Sequence, residues 1–184
     1  VSACGGGGGG GGGSAPGPAP APKAWTGAVL LETNDTGTAV GPDIALDANG
    51  NAIAVWQQSD GTRFNVWANR YNASTSAWGT ATLIETDNAG GVGSPRVAMD
   101  GNGNAIAIWN QDDGTRGNMW ANRYSASTSA WGTPTLVETD DAGGVGSPEI
   151  AMDANGNAIT VWNQFDGKRR NVWANRYNDS TSAW

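Results

Sequence analysis

Pro95-Arg96-Val97-Ala98-Met99-Asp100-Gly101-Asn102-Gly103-Asn104-Ala105-Ile106-Ala107-Ile108-Trp109-Asn110-Gln111 sets two alternating apolar runs on either side of an Asn-Gly pair. Alternation with period two marks β-strands, and Asn and Gly tolerate the positive φ that a tight hairpin needs. The pattern opens again at Pro42 and at Pro148, with Asn49-Gly50 and Asn155-Gly156 at its centre. Upstream of it lie a Gly-rich loop, residues 87–95, and the strand-forming run Ala81-Thr82-Leu83-Ile84-Glu85. Downstream, Asp112-Asp113-Gly114-Thr115-Arg116 breaks the chain before a last run, residues 118–124. Tryptophan then restarts the unit: Trp25, Trp78, Trp131 and Trp184 stand 53 residues apart. No segment holds a helical period long enough to compete.

A fixed period with about four short strands per unit is what a β-propeller blade looks like. The stretch Pro-x-hydrophobic-Ala-hydrophobic-Asp-x-x-Gly-Asn, at 42–51, 95–104 and 148–157, resembles blade repeats of the NHL and kelch kind. That resemblance implies that the run before Asn-Gly is innermost and the Leu-Ile-Glu-Thr run outermost. The expected fold is all-β: three four-stranded, 53-residue blade repeats at 25–77, 78–130 and 131–184, the last including the first residue of a fourth. Three blades cannot close a ring, since propellers have about 4–8. The expectation is therefore an open part of a six- to eight-bladed ring, or two chains making six blades. Open blade edges would then favour self-association.

Residues 1–24 differ in kind. Val1-Ser2-Ala3-Cys4 resembles the lipobox of bacterial lipoproteins, which implies lipidation at Cys4, a membrane partner through that lipid, and an envelope location at the outer membrane or cell surface. On this reading residues 1–4 are a remnant of a signal segment. Residues 5–24 are a glycine run followed by alternating proline, a tether that cannot bury a core. No apolar run is long enough to span a bilayer as a helix.

Composition removes several chemistries. The chain has 184 residues, net charge −7, no histidine, one cysteine and ten tryptophans. The absence of histidine excludes His-based triads and imidazole metal sites, and one cysteine excludes an intrachain disulfide framework. An acidic chain without a basic run argues against nucleic acid. Asp47, Asn49 and Asn51 alternate as at the start of a calcium loop. The glycine is misplaced, however, and no acidic residue closes the loop, so turn chemistry is the better reading. No metal and no cofactor are expected.

Alternation also sorts the faces. Ile106 and Ile108 share one face of their run, and Ala105, Ala107, Trp109 and Gln111 the other. Blades stack face to face, so Trp56, Trp109 and Trp162, with Trp67, Trp120 and Trp173, read as packing residues. Trp25, Trp78, Trp131 and Trp184 sit at a loop edge and have the better prospect of exposure. The strand order places the Gly-rich and Asp-Gly-x-Arg loops on one rim. Asp60 and Arg63, Asp113 and Arg116, and Asp166 and Arg169 repeat there, joined by Asp87 and Asp140. Carboxylates and guanidiniums around a concave rim suit a polar ligand, a glycan or a protein; the plainer reading is solvated turns. Asp43, Arg96 and Glu149 begin the innermost strands.

A catalytic centre is one asymmetric constellation, whereas these polar features recur in each unit. Ser59-Asp60-Gly61 is also too compressed for a sialidase Asp-box. The sequence therefore favours a non-catalytic binding module with no assigned catalytic residues. A propeller glycosidase or lyase, or its accessory domain, and a passive protein scaffold are the alternatives.

Overall fold

The computed structural model describes residues 27–86, 89–139 and 143–184; Trp25, Cys4 and the tether lie outside them. Among these residues there are thirteen strands and no helix. The first sheet holds β1 (Ala39–Leu46), β2 (Ala52–Ser59), β3 (Phe64–Asn72), β4 (Ala77–Trp78) and β5 (Thr82–Leu83). The second holds β6 (Val92–Met99), β7 (Ala105–Asp112), β8 (Gly117–Ser125), β9 (Ala130–Trp131) and β10 (Thr135–Leu136). The third holds β11 (Val145–Met152), β12 (Ala158–Phe165) and β13 (Arg170–Tyr177). All pairings are antiparallel, and all but β3 with β5 and β8 with β10 join chain neighbours through short turns. These are propeller blades, and the three do not close into a ring.

The first strand of each sheet forms one edge, and β1, β6 and β11 lie side by side, so the run before Asn-Gly is innermost as expected. The opposite edge is supplied by the next repeat. Leu83 pairs with Trp67 and Leu136 with Trp120, so the first and second sheets are completed by chain from the unit that follows. The outer strands are only two residues long, because the chain leaves the ladder to cross to the next sheet. Ile84 makes that step: its N–H donates to Val66 O at 3.0 Å, while its carbonyl accepts from Asn122 Nδ2 at 2.9 Å.

The turns are built from side chains as much as from backbone. At the Asn-Gly turn, Asp47 N–H donates to Asn51 O at 2.9 Å. Asp47 Oδ1 accepts from the backbone of Asn49 and Asn51, and Oδ2 from Asn51 Nδ2. Only the glycine takes positive φ: 82° at Gly50, 87° at Gly103 and 84° at Gly156. The preceding asparagine does not, so the loop is a three-residue hairpin connection rather than a two-residue one. A bulge interrupts each inner strand between residues 93 and 96 and at the equivalent places. Its positive-φ residue is Gly41 in the first sheet but Ser94 and Ser147, near 50°, in the others.

Two cores lie between the sheets. Ile53, Val55 and Val66 of the first sheet pack on Val97, Ala105, Ala107 and Trp109 of the second. Ile106, Ile108 and Met119, on the second sheet's other face, pack on Val145, Ala158 and Trp162 of the third. The alternation of 105–111 thus feeds two separate interfaces from one strand. Trp56, Trp109 and Trp162 are all buried, and each indole N–H donates to the glutamine two residues on, at 2.9–3.0 Å. That hydrogen bond is what lets an indole sit in a dry interface. Trp67 and Trp120 are half-buried and Trp173 is exposed.

Candidate functional site

The Gly-rich and Asp-Gly-x-Arg loops meet on one rim. Asp112 N–H donates to Gly91 O at 3.0 Å, and a methyl group added to Gly90 would overlap the Asp112 carbonyl oxygen. Gly37 and Gly143 stand in the same relation to Ser59 and Phe165, which explains glycine at this point in every repeat.

Within each Asp-Gly loop the aspartate folds back on its own turn. Asp60 Oδ1 accepts from Thr62 Oγ1 at 2.6 Å, Thr62 N–H at 2.8 Å and Arg63 N–H at 3.0 Å, and Oδ2 accepts from Asn65 Nδ2 at 3.0 Å. Asp113 repeats this with Thr115, Arg116 and Asn118, and Asp166 with Lys168, Arg169 and Asn171. Hydrogen bonds to the ionised form hold these carboxyls below their ordinary range. The threonine hydroxyl is the largest cause at Asp60 and Asp113. At Asp166, which faces Lys168 instead, backbone N–H of Arg169 leads and the value is about 2.

In the first and third loops the paired arginine is placed by the same asparagine. Arg63 Nε donates to Asn65 Oδ1 at 3.1 Å and Arg169 Nε to Asn171 Oδ1 at 3.2 Å. Their approaches to aspartate are longer, 3.9 and 3.8 Å, and exposed, so these ion pairs add little stability. Each loop thus keeps its aspartate for the turn, and in the first and third loops the asparagine also holds the arginine. The sequence reading paired Asp with Arg and missed Asn65, Asn118 and Asn171. Their recurrence five residues after the aspartate was the available signal. Asp87 and Asp140 lie outside the described residues.

Toward the axis the three innermost strands are linked. Asp43 Oδ2 accepts the N–H of Val97 at 2.9 Å, and Arg96 Nε approaches Glu149 Oε1 at 3.4 Å. Asp43, Arg96 and Glu149 occupy one repeat position with three different side chains, a guanidinium in the second copy and carboxylates in the first and third. Several buried polar groups follow the repeat. Glu85 and Glu138 are 2% and 3% exposed beneath the outer strands, and in the first unit Gln58 Nε2 donates to the equivalent Glu32 at 3.4 Å.

Among the described residues no three His, Cys, Asp or Glu side chains gather as a metal site, and the oxygens of Asp47 are occupied by its turn. On the outer side, two clefts of 520 and 620 Å³ separate neighbouring sheets, one between the first and second and one between the second and third.

No family model matches the chain, and no curated protein matches it. Solved structures share its fold. One is a protein of unknown function from Dyadobacter fermentans DSM 18053, with TM-score 0.54 and 13% identity over 82% of this chain and 54% of that one. Another is the endo-arabinase from Bacteroides thetaiotaomicron VPI-5482, with TM-score 0.53 and 11% identity over 83% of this chain and 60% of that one. The chain spans between about half and three-fifths of the length of these structures, and at such identities the likeness is one of fold alone.

Proposed function

We propose that this chain is a β-propeller binding module for a polar ligand, a glycan or a protein, presented from a bacterial envelope by a lipid on Cys4. The observation that carries the reading is the rim loop built three times with one aspartate–asparagine turn, each carrying an arginine, whose guanidinium is seated on the asparagine in the first and third loops. Similar weak sites on a rigid frame gain avidity when a ligand is itself repetitive. A carbohydrate is the polar ligand favoured, since the endo-arabinase named above shares the fold; fold by itself licenses no activity. Val1-Ser2-Ala3-Cys4 ahead of a Gly/Pro tether supports the anchor. The test is a glycan array read with the native chain and with Arg63, Arg116 and Arg169 all changed to alanine. Binding to a defined glycan class that disappears in the variant, with melting unchanged, supports the reading; binding that survives places the site elsewhere. For the anchor, expression behind a lipoprotein signal should give detergent partitioning that Cys4→Ser removes.

A second reading rests on Asp43, Arg96 and Glu149. Their divergence at one repeat position is the asymmetry that catalysis requires, and two carboxylates flank the arginine there. Release of reducing ends from a polysaccharide panel, abolished by Glu149→Gln, would favour a glycosidase over a binder.

A further inference from the structure

The two ends of this stack of sheets carry the two halves of one contact. Within the chain, the face of the first sheet that holds Ile53, Val55 and Val66 receives the face of the second that holds Val97 and Met99. Ile106, Ile108 and Met119 receive Ile150 and Met152 of the third in the same way. The third sheet repeats the receiving half with Ile159, Val161 and Val172, which no described residue covers: Ile159 is 54% and Val172 77% exposed. The first sheet repeats the entering half with Ile44 and Leu46, 52% and 61% exposed. We propose that a second copy of this chain supplies the missing half, the first sheet of one copy seated head to tail on the third sheet of the other.

The outer strand repeats this relation. Leu83 and Leu136 each pair with the sheet before, and the residue after each fixes the crossing. Ile84 N–H donates to Val66 O at 3.0 Å and Val137 N–H to Met119 O at 2.8 Å. The carbonyls of the same two residues accept from Asn122 and Asn175, both at 2.9 Å. Leu31 is their counterpart one unit earlier, and its carbonyl already accepts from Asn69 Nδ2 at 3.0 Å. The segment is thus held on its own sheet in the crossing position. Val29 and Leu30, which hold the places of the paired residues Thr82 and Leu83, are exposed and pair with no strand among the described residues.

β13 is the edge this segment fits. It has β12 on one side and no strand on the other, and Val172 stands where Val66 and Met119 offer their acceptor carbonyls. An open edge and an unpaired segment that match in register are the two parts of a strand addition. In the paired copies Leu30 lies opposite Trp173, as Leu83 lies opposite Trp67 and Leu136 opposite Trp120.

A second copy answers both ends at once, because each chain carries one head and one tail. Two chains joined at both ends make six sheets, within the about 4–8 of closed propellers, and leave no blade edge open. A contact between two like ends leaves the segment around Leu30 unpaired. Charge opposes the union. Glu149 of one copy comes beside Asp43 of the other, whereas within the chain Arg96 stands between those two carboxylates. With a net charge of −7 on each chain as well, association should tighten as salt rises. The dilute single chain leaves both faces bare, so truncating Ile159 weakens association and not the unfolding of the dilute chain.

The test is light scattering on the whole chain at roughly 100 µM, well above the micromolar dissociation constant of weak interfaces of standard size. Twice the mass of one chain is the expected result. Val172→Glu on the tail face and Ile44→Glu on the head face should each give a folded single chain, since both side chains are exposed in the unpaired molecule. Mixing the two variants should restore pairs, weaker than the native ones, because each keeps the half that the other has lost. Should either glutamate disturb folding, a cross-link carries the test. Leu30→Cys with Trp173→Cys, on a Cys4→Ser background, should give covalent dimers on oxidation, since directly opposed strand positions lie within disulfide reach. A single chain at that concentration, with no cross-link, would overturn the proposal and assign the bare faces to another occupant. A dimer that survives either glutamate variant would overturn it as well, by showing a contact between like ends or elsewhere.

Discussion

Ile106 and Ile159 hold the same place in successive repeats, yet one is 1% exposed and the other 54%. Met119 and its counterpart Val172 differ still more, at 0% and 77%. The strands carrying them pair in the same register. Burial here belongs to the contact between two sheets and not to the strand that supplies the residue. The second sheet has a neighbour on each face, and the described part of the third has one.

Truncating the pair is the sharpest way to break this comparison. Ile106→Ala should cost about 2–5 kcal/mol in urea unfolding, and Ile159→Ala within about 0.5 kcal/mol. Equal losses would mean that the Ile159 face is covered in solution. Next in size is a contrast expected to vanish. Gly90→Ala and Gly143→Ala both push a methyl into a carbonyl oxygen of the same sheet, so each should cost about 1–3 kcal/mol, by a similar amount. A large inequality would show that the rim loops depend on the neighbouring sheet after all.

A smaller effect separates the rim turns by acidity. Their aspartates have folded values below the ordinary value near 4, so they stabilise the native state fully above that pH and lose the contribution as pH falls. For Asp166 the loss should span roughly pH 4 to about 2. Asp113, which also accepts from a threonine hydroxyl, should need stronger acid. Acid titration of Asp113→Asn and Asp166→Asn proteins measures both, and a reversed order would contradict the threonine's role. Smallest is Ser94→Gly. The equivalent residue of the first sheet is already Gly41 at φ 63°, so relief of the left-handed serine should raise stability by a few tenths of a kcal/mol, read as a higher melting temperature.

Much of this architecture was legible because the repeat shows one pattern three times. The split of Ile106 and Ile108 from Ala105, Ala107 and Trp109 follows from alternation, and the structure sends the two sets to different cores. The shared rim followed from strand order. What escaped the sequence was partnership. Asp113 reads as a charge available to a ligand until Asn118 and Thr115 are seen to occupy it. Ser94 gives no sign of positive φ, since nothing in its own chemistry asks for it. The burial of Glu85 depends on chain crossing between sheets, which its own run does not show. The paired clefts were invisible for the same reason: each is made by two repeats, and neither repeat contains it.

The loan of an outer strand from one repeat to the sheet before it sets an order of assembly. On the ribosome, residues 39–72 can emerge and form their hairpins, but their sheet cannot finish until Leu83 and Ile84 follow. The second sheet waits in turn for Leu136 and Val137. Synthesis thus runs always one strand ahead of completion, and a nascent chain carries one unfinished sheet edge at each stage. A chain ended just after residue 72 would leave that edge open.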